Sequence, residues 1–354
     1  MLRKTFYVVA ALAAVVALQF AAAAGLDAYM VRVVALCGIN VMLAVSLNLV
    51  NGTTGQFSIG HAGFMAVGAY AGAITSHGLA ARIHGLLPPF AADAVTLASA
   101  LVVAMGAGAL AGVAVGVPSL RLRGDYLAIV TLGFGEIIRI SIESTPAVGG
   151  SQGYPLGSES IPPYATLAWI LGGAVLAVAV VWNLTYSTHG RALAAIREDE
   201  IAAEAVGIPT TRYKVLAFAI SAAVTAVAGA LFAHDSTGGQ HIDPGAFKLD
   251  KSVDMLVMII FGGLGSITGA VLGGVFVALS LELLRELPGL VEQQVGASAF
   301  TETLKTNAGN LRLIVYALLL VGLMLSRPQG LLGTREFGLG WLRRRRAPRA
   351  GGAP

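Results

Sequence analysis

The chain has 354 residues, 56% hydrophobic and only 12% charged, whereas a water-soluble domain carries charge on about a quarter of its residues. A net charge of +4 suggests no nucleic-acid partner, and the single cysteine, Cys37, excludes an internal disulfide and a cysteine-rich zinc site. Lipid is therefore the expected solvent for most of the chain, and the 45 glycines are what a membrane bundle uses to bring helix backbones close together.

Residues 1–4 make a short basic start, and residues 6–24 are nearly all apolar. That run reads as an uncleaved first helix or as a signal peptide whose cleavage region is 21–25. Further spans are predicted at 29–50, 58–77, 94–117, 127–142 (a shorter one), 164–184, 215–233 and 311–325. Cys37 falls in one of these runs and reads as a small buried residue. Residues 252–284 are also apolar but are interrupted by Gly262, Gly263 and Gly265. A crossing needs about 20 residues, so this stretch is too long for one ordinary helix and short for two. It reads as two short helices joined at the glycines, entering and leaving on the same side. One tilted, kinked helix is the other reading. Irregular backbone at membrane depth survives only inside protein or facing water. The predicted class is all-α, a polytopic transmembrane bundle with broken or re-entrant helices. Residues 1–340 form a single membrane domain, followed by a basic tail at 341–354.

With the N-terminus in the cytoplasm, 15 of the 23 basic residues fall in inside segments, seven fall outside and Arg139 lies within a span. This matches the excess of Lys and Arg on cytoplasmic loops. Both termini are inside only if 252–284 makes no net crossing, which favours the paired reading. The five arginines of 341–349 read as an anchor at anionic lipid.

Several polar features stand out. Residues 190–207 are alanine-rich and helix-prone, with Glu198, Asp199 and Glu200 beside Arg191 and Arg197, and with Glu204, Ala205 and Gly207 near the end. They predict one amphipathic helix on a cytoplasmic surface, closed by Gly207 and Pro209. A docking element and an ordinary solvated loop helix both fit. Between the second and third spans, Asn51, Gln56, Ser58 and His61 lie among glycines and small hydroxyls. They suit either a translocation path built on a broken helix or a plain turn. Glu136 and Arg139 stand three residues apart within a span, so they can pair on one helix face. Charges at that depth are candidates for function, although a structural staple fits as well. Arg121, Arg123 and Asp125 precede that helix as topology signal and N-cap, and Ser252 and Asp254 read as caps. The segments 145–163 and 235–251 are rich in Gly, Pro and polar residues and could meet a binding protein. No metal site is expected, because His61 has no second ligand at suitable spacing.

The run 190–213 with Glu204-Ala-Val-Gly207 resembles the coupling loop of ABC-importer permeases. With 51–64, 121–139, Gly262 to Ser266 and Arg327-Pro-Gln-Gly-Leu331, it resembles the branched-chain amino acid permease family in its M-type subunit, over about residues 30–335. The resemblance implies import of leucine, isoleucine or valine, or of urea, short amides or another small polar solute on the same machine. It also implies a homologous second permease, two ABC ATPase subunits, a periplasmic substrate-binding protein and the bacterial inner membrane. Residues 197–200, 204, 205 and 207 would then form the ATPase-coupling loop. Residues 51, 56, 58, 61, 136, 139, 262, 263 and 265 would belong to the pathway or gate. No Gly-x-x-x-x-Gly-Lys-Ser/Thr loop occurs, so ATP is expected on partner subunits, with no cofactor and no enzyme activity in this chain. An ion-gradient-driven carrier is the rival class. It would need ionisable residues deep in the spans, and it leaves 198–207 unexplained.

Overall fold

The computed structural model describes residues 27–83, 85–120, 124–154, 163–237 and 241–295, with isolated positions elsewhere that include 330–333 and 336. The predicted spans at 6–24 and 311–325, Arg121, Arg123 and the tail at 341–354 lie wholly or largely outside the described residues. The described chain is α-helical. Its helices are α1 (Ala28–Asn48, continued by a wider π turn at Leu49–Thr53), α2 (His61–Ile83), α3 (Pro89–Ser119), α4 (Asp125–Glu143) and α5 (Leu167–Thr185). They continue with α6 (Thr188–Glu198), α7 (Glu200–Ala205), α8 (Thr210–Ala233), α9 (Leu249–Gly262) and α10 (Ile267–Val295). Five of these are both long and apolar enough to cross a membrane: α1 with its π turn, α3, α5, α8 and residues 267–286 of α10. Helices α2 and α4, at 23 and 19 residues, have the length for a crossing but more polar sequences.

α1 is the central helix: 83% of its most apolar window is buried, against 28% in α5. Against it lie α5, α8, α9 and α10, and α2, α3 and α8 pack on one another through small residues. A Cβ on Gly68 would strike the backbone of Ala226, and one on Gly229 would strike the Met65 carbonyl. On α3, Gly108 and Gly112, four apart, face Ala226, Ala222 and Ala219 of α8. Lipid-like solvent provides no hydrophobic force between helices, so close van der Waals approach across such small-residue seams is what holds them. Large aliphatic side chains are found both inside, as at Leu43, Leu47 and Leu97, and on the outer faces of the bundle, with Leu110 at 74% and Leu176 at 62% exposure. Cys37 is only partly buried, because its helix face is shared between core and surface.

The stretch 252–284 does divide into two helices, but their lengths correct the prediction. α9 has 14 residues, about 21 Å, which is less than the roughly 30 Å hydrocarbon core. α10 runs 29 residues, long enough for a complete crossing rather than a second short helix. The two form an antiparallel hairpin in which Gly262 abuts Gly269 and Gly273 abuts the Met258 carbonyl, and Phe261 stacks on Phe276 at 3.9 Å. Chain leaving α8 makes bridges to Tyr154 and Ala165. It then dips into the bundle at the short 3-10 turn Pro244–Phe247, whose Phe247 is buried against Tyr70 and Phe232. α9 therefore begins part-way along α1, where Lys251 Nζ donates to Asn40 Oδ1 at 3.3 Å. Ser252 and Asp254 sit inside α9, not at its cap, and Asp125 is the first helical residue of α4 with Gly124 as N-cap.

Candidate functional site

The segment 190–207 is two helices, not one. Asp199 has extended backbone (φ −156°, ψ 111°), and its Oδ1 accepts from the N–H groups of Ile201 and Ala202 at 2.9 and 3.0 Å. An Asp side chain competes for the backbone in this way, so it starts a new helix more readily than it continues an old one. Gly207 (φ +86°) closes α7. Its N–H donates to the Glu204 carbonyl, and that of Ile208 donates to Ala203, the Schellman pairing that a left-handed glycine permits. Glu204 Oε1 accepts from Thr210 Oγ1 at 2.6 Å, and Lys214 pairs with Glu200 at 2.5 Å. These contacts fasten α7 to the start of α8. The outer face of α7 is apolar and open, with Ile201 at 69% and Val206 at 77% exposure and Ala205 beside them.

Arg197 and Glu198 end α6 and pair at 3.0 Å. The guanidinium of Arg197 then reaches across the fold, and its Nη1 donates to the Gly52 carbonyl at 2.9 Å. That carbonyl lies in the π turn ending α1. A Cβ on Gly55 would press the Arg197 stem, and one on Gly265 would come within 3.1 Å of Nη1. On the other side, Asn48 Oδ1 accepts from Gly265 N at 2.9 Å, while its Nδ2 donates to the Ser266 carbonyl at 3.2 Å. Gly52 has no room for a side chain, since a Cβ there would collide with Asn48 Oδ1 and Gly265 N. Thus three separately predicted elements meet in one joint: the 190–207 segment, the break after α1 and the glycine turn between α9 and α10. The outer side of that turn is also fixed. Leu331 and Leu332 donate to the carbonyls of Phe261 and Gly262, and the Glu336 carboxylate accepts from the N–H groups of Ile267 and Thr268.

Above the joint, the break between α1 and α2 is buried. Asn51 and Ser58 exchange two hydrogen bonds at 3.2 and 3.1 Å. His61 Nε2 lies 2.7 Å from Ser221 Oγ, and Ser221 Oγ donates to the Ser46 carbonyl at 2.6 Å. With its proton committed to Ser46, Ser221 must accept, so His61 carries its proton on Nε2 and Nδ1 faces Ser58 Oγ at 3.4 Å. Phe64 and Phe218 pack edge-on around the imidazole. Ser46 and Thr225 add a hydroxyl pair at 2.9 Å. Gln56 is buried, and neither polar atom of its amide has a hydrogen-bond partner among the described residues. Among the described residues no group of three or more His, Cys, Asp or Glu side chains converges.

Glu136 and Arg139 do pair, at 2.8 Å, but Arg139 also holds Glu143 at 2.6 Å. The second carboxylate was readable from its i+4 spacing and was missed. Neither residue reaches the Arg197 joint. Glu136 instead faces a cleft between α2, α4 and the start of α9. Asn48, Ser46, Ser221 and Thr225 were not among the expected site residues. Their only sequence signal is a hydroxyl or amide inside an apolar run.

Residues 29–325 match the family described as the permease component of branched-chain amino acid transport systems. The chain belongs to that family. It is 32% identical over 83% of its length to the high-affinity branched-chain amino acid transport permease LivM of Salmonella typhimurium, covering 68% of that protein. To LivM of Escherichia coli K12 it is 31% identical, over 93% of this chain and 75% of the relative. LivH of Salmonella typhimurium is 29% identical over 53% of each chain. No solved structure gives a significant match. The relatives are transport permeases, so family membership, helical architecture and membrane-crossing segments agree with the resemblance drawn from the five motifs.

Proposed function

We propose that this chain is the membrane-spanning subunit of an ATP-driven importer, and that its cargo is a branched-chain amino acid handed over by a periplasmic binding protein. Arg197 carries this reading, because it ties the 190–207 segment to both breaks in the membrane helices. The open apolar face of α7, around Ile201, Ala205 and Val206, is the surface for an ATPase subunit, with Glu198, Asp199, Glu200, Glu204 and Gly207 shaping its ends. A ligand shifts a conformational equilibrium only by its differential affinity for the two states. ATP bound between two partner ATPases would favour their closed form and displace α6 and α7. Arg197 would pass that displacement to Gly52 and to Gly263 and Gly265, where the chain already leaves helical geometry. Asn51, Gln56, Ser58 and His61 line the same break and would change partners as access alternates. The unpartnered Gln56 amide is the group best placed to gain hydrogen bonds in the other state.

The assembly would contain a homologous second permease, two ATPases and the binding protein. It would sit in the bacterial inner membrane with both termini of this chain cytoplasmic. ATP is held by the partners, and this chain makes and breaks no bonds. Another small solute on the same machine is a second reading, since a permease of an autoinducer 2 import system from Enterobacter is 29% identical over half of this chain. The test is purification of the tagged chain from its native membrane in mild detergent, with partners identified by mass spectrometry, followed by uptake assays in liposomes. Recovery of a second permease and ATPases, with leucine uptake that requires ATP, is expected. Recovery of the chain alone, transporting without ATP, would replace the importer with a gradient-driven carrier.

A further inference from the structure

The turn between α9 and α10 does not cap its own helices. A helix leaves its last carbonyls and first N–H groups without partners of its own, and here a segment far along the chain fills them. Leu331 and Leu332 donate to the Phe261 and Gly262 carbonyls at 2.9 and 3.2 Å. Glu336 accepts from the Ile267 N–H at 2.6 Å, the Thr268 N–H at 3.0 Å and the Thr268 hydroxyl at 2.6 Å. Hydrogen bonds to a charged acceptor are about twice as strong as neutral ones, and a carboxylate at a helix N-terminus also meets the positive end of the helix dipole. The main chains touch as well. A Cβ on Gly263 would strike the backbone of Gly333, and one on Gly330 would strike the Ile260 carbonyl. Backbone packed this closely cannot slide, so residues 330–333 and Glu336 either move with the turn or come off it.

Glu336 also lies beside the base of α6. Tyr186 immediately precedes Ser187, the N-cap of that helix. Burial, and after it the nearby Glu336 carboxylate, pushes the Tyr186 phenol above its ordinary range. At the opposite end of α6, Arg197 donates to the Gly52 carbonyl and comes up against Gly265, on the inner side of the same turn. The two attachments thus stand one at each end of an 11-residue helix, about 16 Å long. A rod held at one end pivots about that point and delivers little of its displacement. Held at both ends, it carries the turn with it.

We propose that Glu336 is a second positioning residue of the transport cycle. With residues 330–333 it clasps the α9–α10 turn to the base of α6, so that the turn follows α6 at both ends. The assignment rests on the importer reading and adds to it an attachment separate from Arg197. It is tested on the complete transporter in liposomes, with leucine moved per ATP hydrolysed as the readout and co-purification of all subunits as the check on assembly. Glu336→Ala is expected to lower that ratio at least fivefold while hydrolysis persists. Glu336→Gln, which keeps one acceptor oxygen, should fall between. Thr268→Val, which removes only the hydroxyl bond, should lower the ratio about twofold, whereas Thr268→Ser should match the parent. A residue that merely stabilised the fold would lower uptake and hydrolysis together and leave their ratio alone. That result, or parent behaviour in an assembled Glu336→Ala complex, would overturn the clasp. If Glu336→Ala does not assemble, the Thr268 pair decides, and equal ratios in the two variants overturn it. A parent complex that moves no leucine with ATP would instead sink the importer reading, and hydrogen exchange on the purified chain then judges the clasp. Glu336→Ala is expected to speed exchange of the Ile267 and Thr268 amides at least tenfold, and unchanged exchange would overturn it.

Discussion

Helix breaks occur at two levels of this bundle, and the two are packed differently. At the Arg197 joint every gap is filled. Gly52, Gly55 and Gly265 leave room only for one another, the Arg197 stem and the Asn48 amide, and each polar group named there has a partner. At the Glu136 cleft the packing is looser, leaving a gap about the size of one water beside a carboxylate and an exposed lysine. Close-packed parts transmit displacement because they cannot give. The same device, a helix interrupted inside a membrane protein, thus yields a filled joint or a small polar gap according to what packs into the interruption.

The harshest way to break the joint is Gly52→Val, which forces a branched side chain against Asn48 and the backbone of Gly265. Overpacking costs about 1–3 kcal/mol even where side chains can move, and here the obstacle is partly backbone. The detergent melting transition should fall by at least about 3 °C and uptake should vanish. Gly133→Ala on α4 is the contrast. Among the described residues nothing beyond its own stretch of helix lies within 4 Å of a Cβ added there, so melting and uptake should be unchanged or slightly improved, as for Gly to Ala in a helix. Next is Asn48→Ala, which leaves the Gly265 N–H unpaired, at about 1–3 kcal/mol, while the Ser266 carbonyl keeps the Ala270 N–H as donor. Asn48→Asp keeps the acceptor and should lose about half as much, read again by melting. Ser221→Ala removes the links to His61 and the Ser46 carbonyl and should cost about 1–2 kcal/mol. The smallest effect belongs to Asp199→Ala, which removes the α7 cap for about 1 kcal/mol. It should weaken retention of ATPase subunits a few-fold while leaving the melting transition nearly in place.

Much of the architecture is legible in sequence because long apolar runs have one use, and the glycine pair at Gly262 and Gly263 marks the hairpin turn where it occurs. The length of α10 was not legible, since its polar far end, through Glu282, Arg285 and Glu286, reads as loop until it is seen to continue as helix. The division of 190–207 was hidden as well, because Glu198, Asp199 and Glu200 look like one solvated helical stretch. Only the backbone at Asp199 shows that the middle acid is a cap. The joint itself could not be read. Arg197 and Gly52 are 145 residues apart, and nothing local to either says that a guanidinium ends on that carbonyl. Glu143, by contrast, stood at a readable spacing from Arg139.

The central claim is that Arg197 carries motion from α6 and α7 to the broken membrane helices. The most direct test measures leucine uptake and ATP hydrolysis in the same liposomes for the parent complex, Arg197→Ala and Arg197→Lys. If the claim holds, hydrolysis persists in Arg197→Ala while leucine moved per ATP falls at least tenfold, and Arg197→Lys, which keeps charge but loses the planar donor fork, falls between. An unchanged ratio in Arg197→Ala, with the complex intact, would contradict it.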